Sequence, residues 1–162
     1  MKNWEALKKG LNCQVNKANV RNLRAVIRDL FKLNLHRGRG LLARYILRAQ
    51  AAAPSYSNVY AALVAVVGSK LPDVAKPLIH RLLGSFQRQF DRGNLSQSKA
   101  TLHFIAQLVN QQVLHEVVAL QILALLLEKD DDESTLAACA LMTECGSILQ
   151  ELNSQGANLV FD

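Results

Sequence analysis

Residues 4–31 read WEALKKGLNCQVNKANVRNLRAVIRDLF. In the first half, Trp4, Leu7, Leu11 and Val15 recur every three or four positions and so share one stripe of an α-helix. After the polar break Asn16–Asn19, a second stripe follows through Val20, Leu23, Ile27, Leu30 and Phe31. Isolated helices of this length are marginal in water, so each stripe needs a neighbouring helix to cover it. The pattern predicts a helical hairpin, with Asn19 capping its second helix.

The same reading extends outward. His36–Gly40 makes a short basic connection, and a second pair covers Leu41–Ala53 and Ser57–Lys70, parted by the helix-stopping Pro54-Ser55. A third pair opens near Asp73, tolerates Pro77 close to its first turn, and carries Leu78, Leu82, Phe86 and Phe90. Gly93-Asn94 breaks it, and Ser96 or Ser98 caps the next helix, with Leu102, Ile105 and Leu108 on its stripe. The fourth pair is His115–Lys129 and Ser134–Leu152, hinged at Asp130–Glu133. Recurrence at roughly 35–40 residues predicts an all-α solenoid of HEAT-like hairpins: four pairs and the start of a fifth at Gly156–Asp162. Leu159, Val160 and Phe161 then lack a covering helix, so residues 1–162 are expected to be one HEAT-repeat domain truncated at its C-terminal end.

Half of the 162 residues are apolar, enough for one domain with a real core. The longest apolar run, Val117–Leu127, falls short of the roughly 20 residues a bilayer requires and reads as a helix buried on most sides. Met1–Gly10 is charged and amphipathic, unlike a signal peptide. Cys13, Cys139 and Cys145 are odd in number and lack paired metal spacing, which favours a reducing compartment; Cys139 and Cys145 read as small core residues. The net charge of +6 conceals a polarity: 12 Lys/Arg against 2 acids in residues 1–50, 6 against 2 in 51–112, and 1 against 9 in 113–162. The basic third should attract acidic protein or phosphate, and the acidic third should repel it.

Catalysis finds no support. His36, His80, His103 and His115 are scattered, without a Cys, Asp or Ser at triad or metal-site spacing, so no catalytic residue, metal or cofactor is expected. Asp130–Glu133 lacks the glycine and alternating ligands of a calcium loop and instead favours the dipole of the helix that follows. Gly38 and Gly40 permit a tight corner, with Arg37 and Arg39 either capping carbonyls or facing a partner. The basic first third makes RNA contact a secondary expectation. Single-strand readers add aromatic platforms, whereas aromatics are only 6% here and Trp4, Phe31 and Tyr60 sit on apolar stripes. On pattern alone, Asn16-Lys17-Ala18-Asn19 is a turn with a solvated lysine.

Several stretches together resemble one family: Trp4–Lys9, Val15-Asn16-Lys17, Arg37–Leu42, Val59–Ala65, His115-Glu116-Val117 and Glu144-Cys145-Gly146. In order and across nearly the whole chain they look like the helical middle domain of eukaryotic initiation factor 4G, in its nucampholin-type subgroup of pre-mRNA-splicing factors. The resemblance implies a scaffold, not an enzyme. Its implied partner is a DEAD-box ATPase of the initiation factor 4A type, at the core of the exon junction complex. The scaffold would hold the two lobes of that ATPase open and deliver it to the spliceosome. Spliceosomal protein partners, a place in the nucleus and nuclear speckles, and no membrane follow from the same resemblance. Translation and nonsense-mediated-decay scaffolds share the domain type and remain alternatives, as does an RNA-binding module. The family's docking motif falls on Asn16 and Lys17, with Cys13, Arg37 and Arg39 as flanking candidates. Cys13 departs from the pattern, since the family usually has Asn-Gly where this chain has Asn12-Cys13.

Overall fold

In the computed structural model, which describes residues 2–153 and Gln155, the regular elements are all helical. The all-α expectation is borne out. The expected ninth helix at Gly156–Asp162 lies outside the described residues. The chain divides into two compact units, Met1–Gly84 and Ser85–Asp162.

The first unit holds α1 (Lys2–Lys17), α2 (Leu23–Leu30), α3 (Arg39–Ala52), α4 (Ser57–Lys70) and most of α5 (Pro72–Asp91). Helix α1 packs on α2 and α3, α2 on α4, and α3 on α4. Neighbouring helices therefore pair as hairpins while first lies against first and second against second. Leu7, Leu11 and Val15 form the buried stripe of α1, as the spacing predicts, and Trp4 at its start is half-buried. Leu11 is fully buried, which contributes about 1.5–3 kcal/mol relative to leaving it in water. The α3–α4 connection is a single 3₁₀ turn, Pro54–Tyr56. It is held by Gln50 Nε2 donating to Ser57 Oγ at 3.0 Å and by that hydroxyl donating to the Pro54 carbonyl at 2.6 Å. Gly38 sits where a Cβ would come within 2.7 Å of Leu11 Cδ1, so its smallness lets the corner before α3 close onto α1.

Three details of this unit correct the sequence reading. Helix α2 begins only at Leu23, and the residue at its N-cap position is Asn22, not Asn19. Val20 therefore leaves the apolar stripe and is 72% exposed, while Val26 and Leu30 carry the buried face. Pro77 lies in the second turn of α5, not the first. The hydrogen bond it forgoes belongs to the carbonyl of Asp73, an exposed residue that water can satisfy.

The second unit contains the end of α5, a 3₁₀ turn (Leu95–Ser98), α6 (Lys99–Asn110), α7 (Glu116–Glu128) and α8 (Asp132–Leu152). Helices α6, α7 and α8 pack on one another around the buried Phe104, Ile105, Leu108, Leu123, Leu126 and Leu141. Ser98 occupies the N-cap position of α6 but makes no side-chain cap; its hydroxyl donates instead to the Leu95 carbonyl at 2.7 Å. Helix α8 starts two residues earlier than predicted, because Asp131 Oδ1 accepts from the Ser134 amide at 2.6 Å and caps it. Among the acids of that hinge, Asp132 and Glu133 fall in the first turn of α8, as the dipole reading requires. Helix α7 is less enclosed than predicted: Val117 and Leu125 are exposed on the side away from Leu123 and Leu126, and Leu127 is exposed at the edge beside Leu123. Cys145 is buried but Cys139 is exposed, since six residues along a helix turn the side chain about 120° from its starting face. No described helix is long and apolar enough to cross a membrane.

Candidate functional site

The corner after α1 is built from two asparagines, Asn19 and Asn22. Asn22 Nδ2 donates to the Lys17 carbonyl at 2.6 Å, and Asn22 Oδ1 accepts from the Asn19 amide at 2.7 Å. Asn19 Oδ1 reciprocates, accepting from the amides of Arg21 and Asn22 at 2.9 and 3.0 Å. Such side-chain turns satisfy the orphan groups at a helix end that regular structure leaves open. The backbone of residues 17–22 is thereby fixed while Lys17, Val20 and Arg21 stay exposed.

Asn16 and Lys17 are both exposed on this corner. Asn16 Nδ2 donates to Asn12 Oδ1 at 3.1 Å, one turn back along α1, which orients the Asn16 amide. Among the described residues no acid lies within ion-pair distance of Lys17, whose ammonium can therefore meet an external carboxylate. Cys13 is exposed one turn before Lys17. Arg21, Arg24 and Arg28 are also exposed on the segment that follows, so the corner presents positive charge to solvent. Val20 adds an apolar knob beside it. Sequence reasoning placed Val20 in the core; the Asn19–Asn22 spacing, characteristic of a side-chain turn, is the signal that would have excluded it.

Arg37 and Arg39 do not join this corner. The Arg37 guanidinium stacks 5.3 Å from the Trp4 ring centroid, near the start of α1, while Lys17 ends that helix. Thirteen residues separate Trp4 from Lys17 along α1, a rise of about 20 Å. Arg39 Nη1 donates to the His36 carbonyl at 2.9 Å, the carbonyl-capping role that the sequence left open. Lys8 Nζ lies 5.9 Å from the Trp4 centroid, so that ring is flanked by two cations.

The histidines gave no constellation in sequence, yet His103 Nδ1 lies 2.6 Å from Glu144 Oε1, joining α6 to α8 across 41 positions. Asn110 Nδ2 donates to the Glu144 carbonyl at 2.8 Å beside it. Only the packing of the two helices brings these residues together. Among the described residues no cluster of three or more His, Cys, Asp or Glu could hold a metal ion.

Comparison with known proteins agrees with this architecture. The MIF4G domain family matches residues 7–160. Among curated proteins, the chain is 45% identical over 159 residues to the pre-mRNA-splicing factor CWC22 homologue of Drosophila melanogaster, covering 98% of this chain and 12% of that protein. It is 45% identical over 160 residues to the Caenorhabditis elegans homologue, covering 99% of this chain and 18% of that protein. The human homologue is 41% identical over 159 residues, again 98% of this chain and 18% of the relative. The chain thus spans less than a fifth of the length of these relatives, and the likeness concerns one domain of each. Helices paired as hairpins, with matched residues running from the first helix past the last described one, leave one assignment: the chain belongs to the MIF4G domain family.

Proposed function

We propose that this chain is the docking domain of a pre-mRNA-splicing factor, binding a DEAD-box ATPase of the initiation factor 4A type and holding its two lobes apart. The observation that carries the reading is the corner itself: Asn16 and Lys17 exposed side by side on a backbone fixed by Asn19 and Asn22. Similarity to CWC22 homologues named as pre-mRNA-splicing factors supports a nuclear, spliceosomal setting with spliceosomal protein partners.

Lys17 would pair with an acid on the ATPase, and Asn16 would hydrogen-bond its backbone. The scaffold needs no active site of its own. A ligand that binds the open arrangement of the lobes better than the closed one shifts the population away from the state that closes on ATP and RNA. RNA-stimulated ATP turnover by the purified ATPase, followed while the chain is titrated to saturation, tests this. Turnover should fall as the complex forms; a saturated complex that turns over at the rate of the free ATPase would remove the proposal.

Exposed Arg21, Arg24 and Arg28 favour a secondary contact with RNA. The ring of Trp4 is covered by Lys8 and Arg37 and that of Phe31 by Lys70, which leaves these rings poor platforms for stacked bases. Steeply salt-dependent RNA binding by the chain without any ATPase would support this contact as an activity in its own right.

A further inference from the structure

In the second unit, α6, α8 and the 3₁₀ turn Leu95–Ser98 enclose a groove of about 520 Å³. That size falls within the roughly 300–1,000 Å³ typical of binding pockets. Its floor is apolar: Leu95, Leu102 and Leu141 are buried there, and Ala137 and Ala140 keep the α8 wall low. Leu136 stands at the lip, 71% exposed.

Polar groups mark the two ends. Glu133, Leu136, Ala137, Ala140, Leu141 and Glu144 follow one another along α8 at intervals that keep them on one face. The two acids are therefore about 16 Å apart, three turns of helix. Glu133 is exposed. Glu144 gives one carboxylate oxygen to His103, and the other, Oε2, is shielded from solvent with no hydrogen-bond partner. A buried acceptor left unmade is costly, so a donor arriving from a ligand gains more there than at an open surface. Among the described residues Lys99 is the one lysine or arginine lining the groove, and residues 113–162 as a whole carry 9 acids against 1 Lys/Arg.

We propose that this groove binds a basic amphipathic helix of a protein partner. The apolar stripe of that helix would seat over Leu102, Ala140 and Leu141, with a Lys or Arg at each end meeting Glu133 and Glu144. Helix-in-groove recognition has this form: anchors at helical spacing fill the groove and flanking charges fix the register. Nucleic acid is disfavoured because the acids repel phosphate. A second copy of the chain is disfavoured because its own basic helices have their apolar stripes already buried against neighbours: Leu7, Leu11 and Val15 on α1, and Leu42 and Ile46 on α3. The inference does not depend on the Asn16–Lys17 corner.

The test is a fluorescence-anisotropy titration of the full chain with a labelled synthetic amphipathic helix carrying leucines at helical spacing and an arginine at each end. A control peptide has glutamates in place of the arginines. Saturable binding of the arginine peptide, weakened by salt and absent for the control, is expected. Ala140→Arg, which places a bulky cation in the groove from an exposed position, should weaken binding by about tenfold or more. Glu144→Gln, which keeps the shape and removes the charge, should act in the same direction, with thermal melting confirming that both variants fold. Equal binding of the two peptides, or an arginine peptide indifferent to both substitutions, overturns the proposal. So does self-association of the chain that Ala140→Arg abolishes, which would give the groove to a second copy.

Discussion

Asn22 reaches back five residues to hold the main-chain carbonyl of Lys17 at 2.6 Å. That bond closes the end of α1 and, in the same stroke, sets the direction in which Asn16 and Lys17 face solvent. Replacing Asn22 by Ala removes it together with the bond that Asn22 Oδ1 accepts from the Asn19 amide. The expected loss is about 1–2 kcal/mol, two part-exposed hydrogen bonds at roughly 0.5–1.5 kcal/mol each with incomplete compensation by water. Urea unfolding measures it, and an unchanged midpoint would show that the corner holds itself without Asn22.

Gly38 should tolerate no larger side chain. Its Cβ would meet Leu11 Cδ1 at 2.7 Å and Leu7 Cδ2 at 3.3 Å, and both leucines are buried. Gly38→Ala is expected to cost about 1–3 kcal/mol, the usual range for overpacking. Gly40→Ala, whose Cβ would find Arg81 Nη2 at an ordinary 3.5 Å, should cost much less in the same unfolding assay.

The thiols should separate by exposure. Cys13 and Cys139 are exposed, whereas Cys145 is buried and donates to the Leu141 carbonyl. Burial, reinforced by the Glu144 charge, pushes the Cys145 thiol up to about 11. Because the thiolate is the reactive form, a thiol-labelling time course on the folded chain should show Cys13 and Cys139 reacting and Cys145 protected until denaturant is added. Rapid labelling of Cys145 under native conditions would mean that α8 opens readily.

Acid should loosen α8 from its first turn. Hydrogen bonding to Ser134, chiefly its backbone amide, holds the Asp131 carboxyl below its ordinary value of 3.8. A carboxyl whose folded-state value is depressed contributes stability that is complete above the unfolded value and lost as pH falls through the depressed one. Asp131→Asn keeps an acceptor at the cap and removes the titration. Below about pH 4 the melting temperature of the Asn variant should fall less steeply than that of the parent; parallel profiles would contradict the assignment.

Much of this architecture was legible because helical spacing survives folding. The stripes Leu7–Leu11–Val15 and Leu102–Ile105–Leu108 are buried as their periods require, and Ser57–Lys70 has the bounds the sequence gives it. Errors arose where local side-chain chemistry competed with periodicity. Val20 fits the stripe of α2, but the paired Asn19 and Asn22 turns delay the helix past it. Cys139 was drawn into the core by its residue type, although its angle to Cys145 keeps it out. For the candidate sites, Asn16 and Lys17 were visible as a polar break, and their exposure agrees with a role at a surface. The His103–Glu144 contact was not visible, because residues 41 apart meet only through the packing of α6 on α8.

The docking proposal is tested most directly by the affinity of the chain for a purified DEAD-box ATPase of the initiation factor 4A type, parent against Asn16→Asp with Lys17→Glu. Losing one partner of a desolvated charge pair typically costs roughly 2–5 kcal/mol, so the double variant should bind about 30-fold more weakly or worse. Its melting temperature should stay close to that of the parent, since both side chains are exposed. Undiminished affinity in a folded double variant would contradict the account.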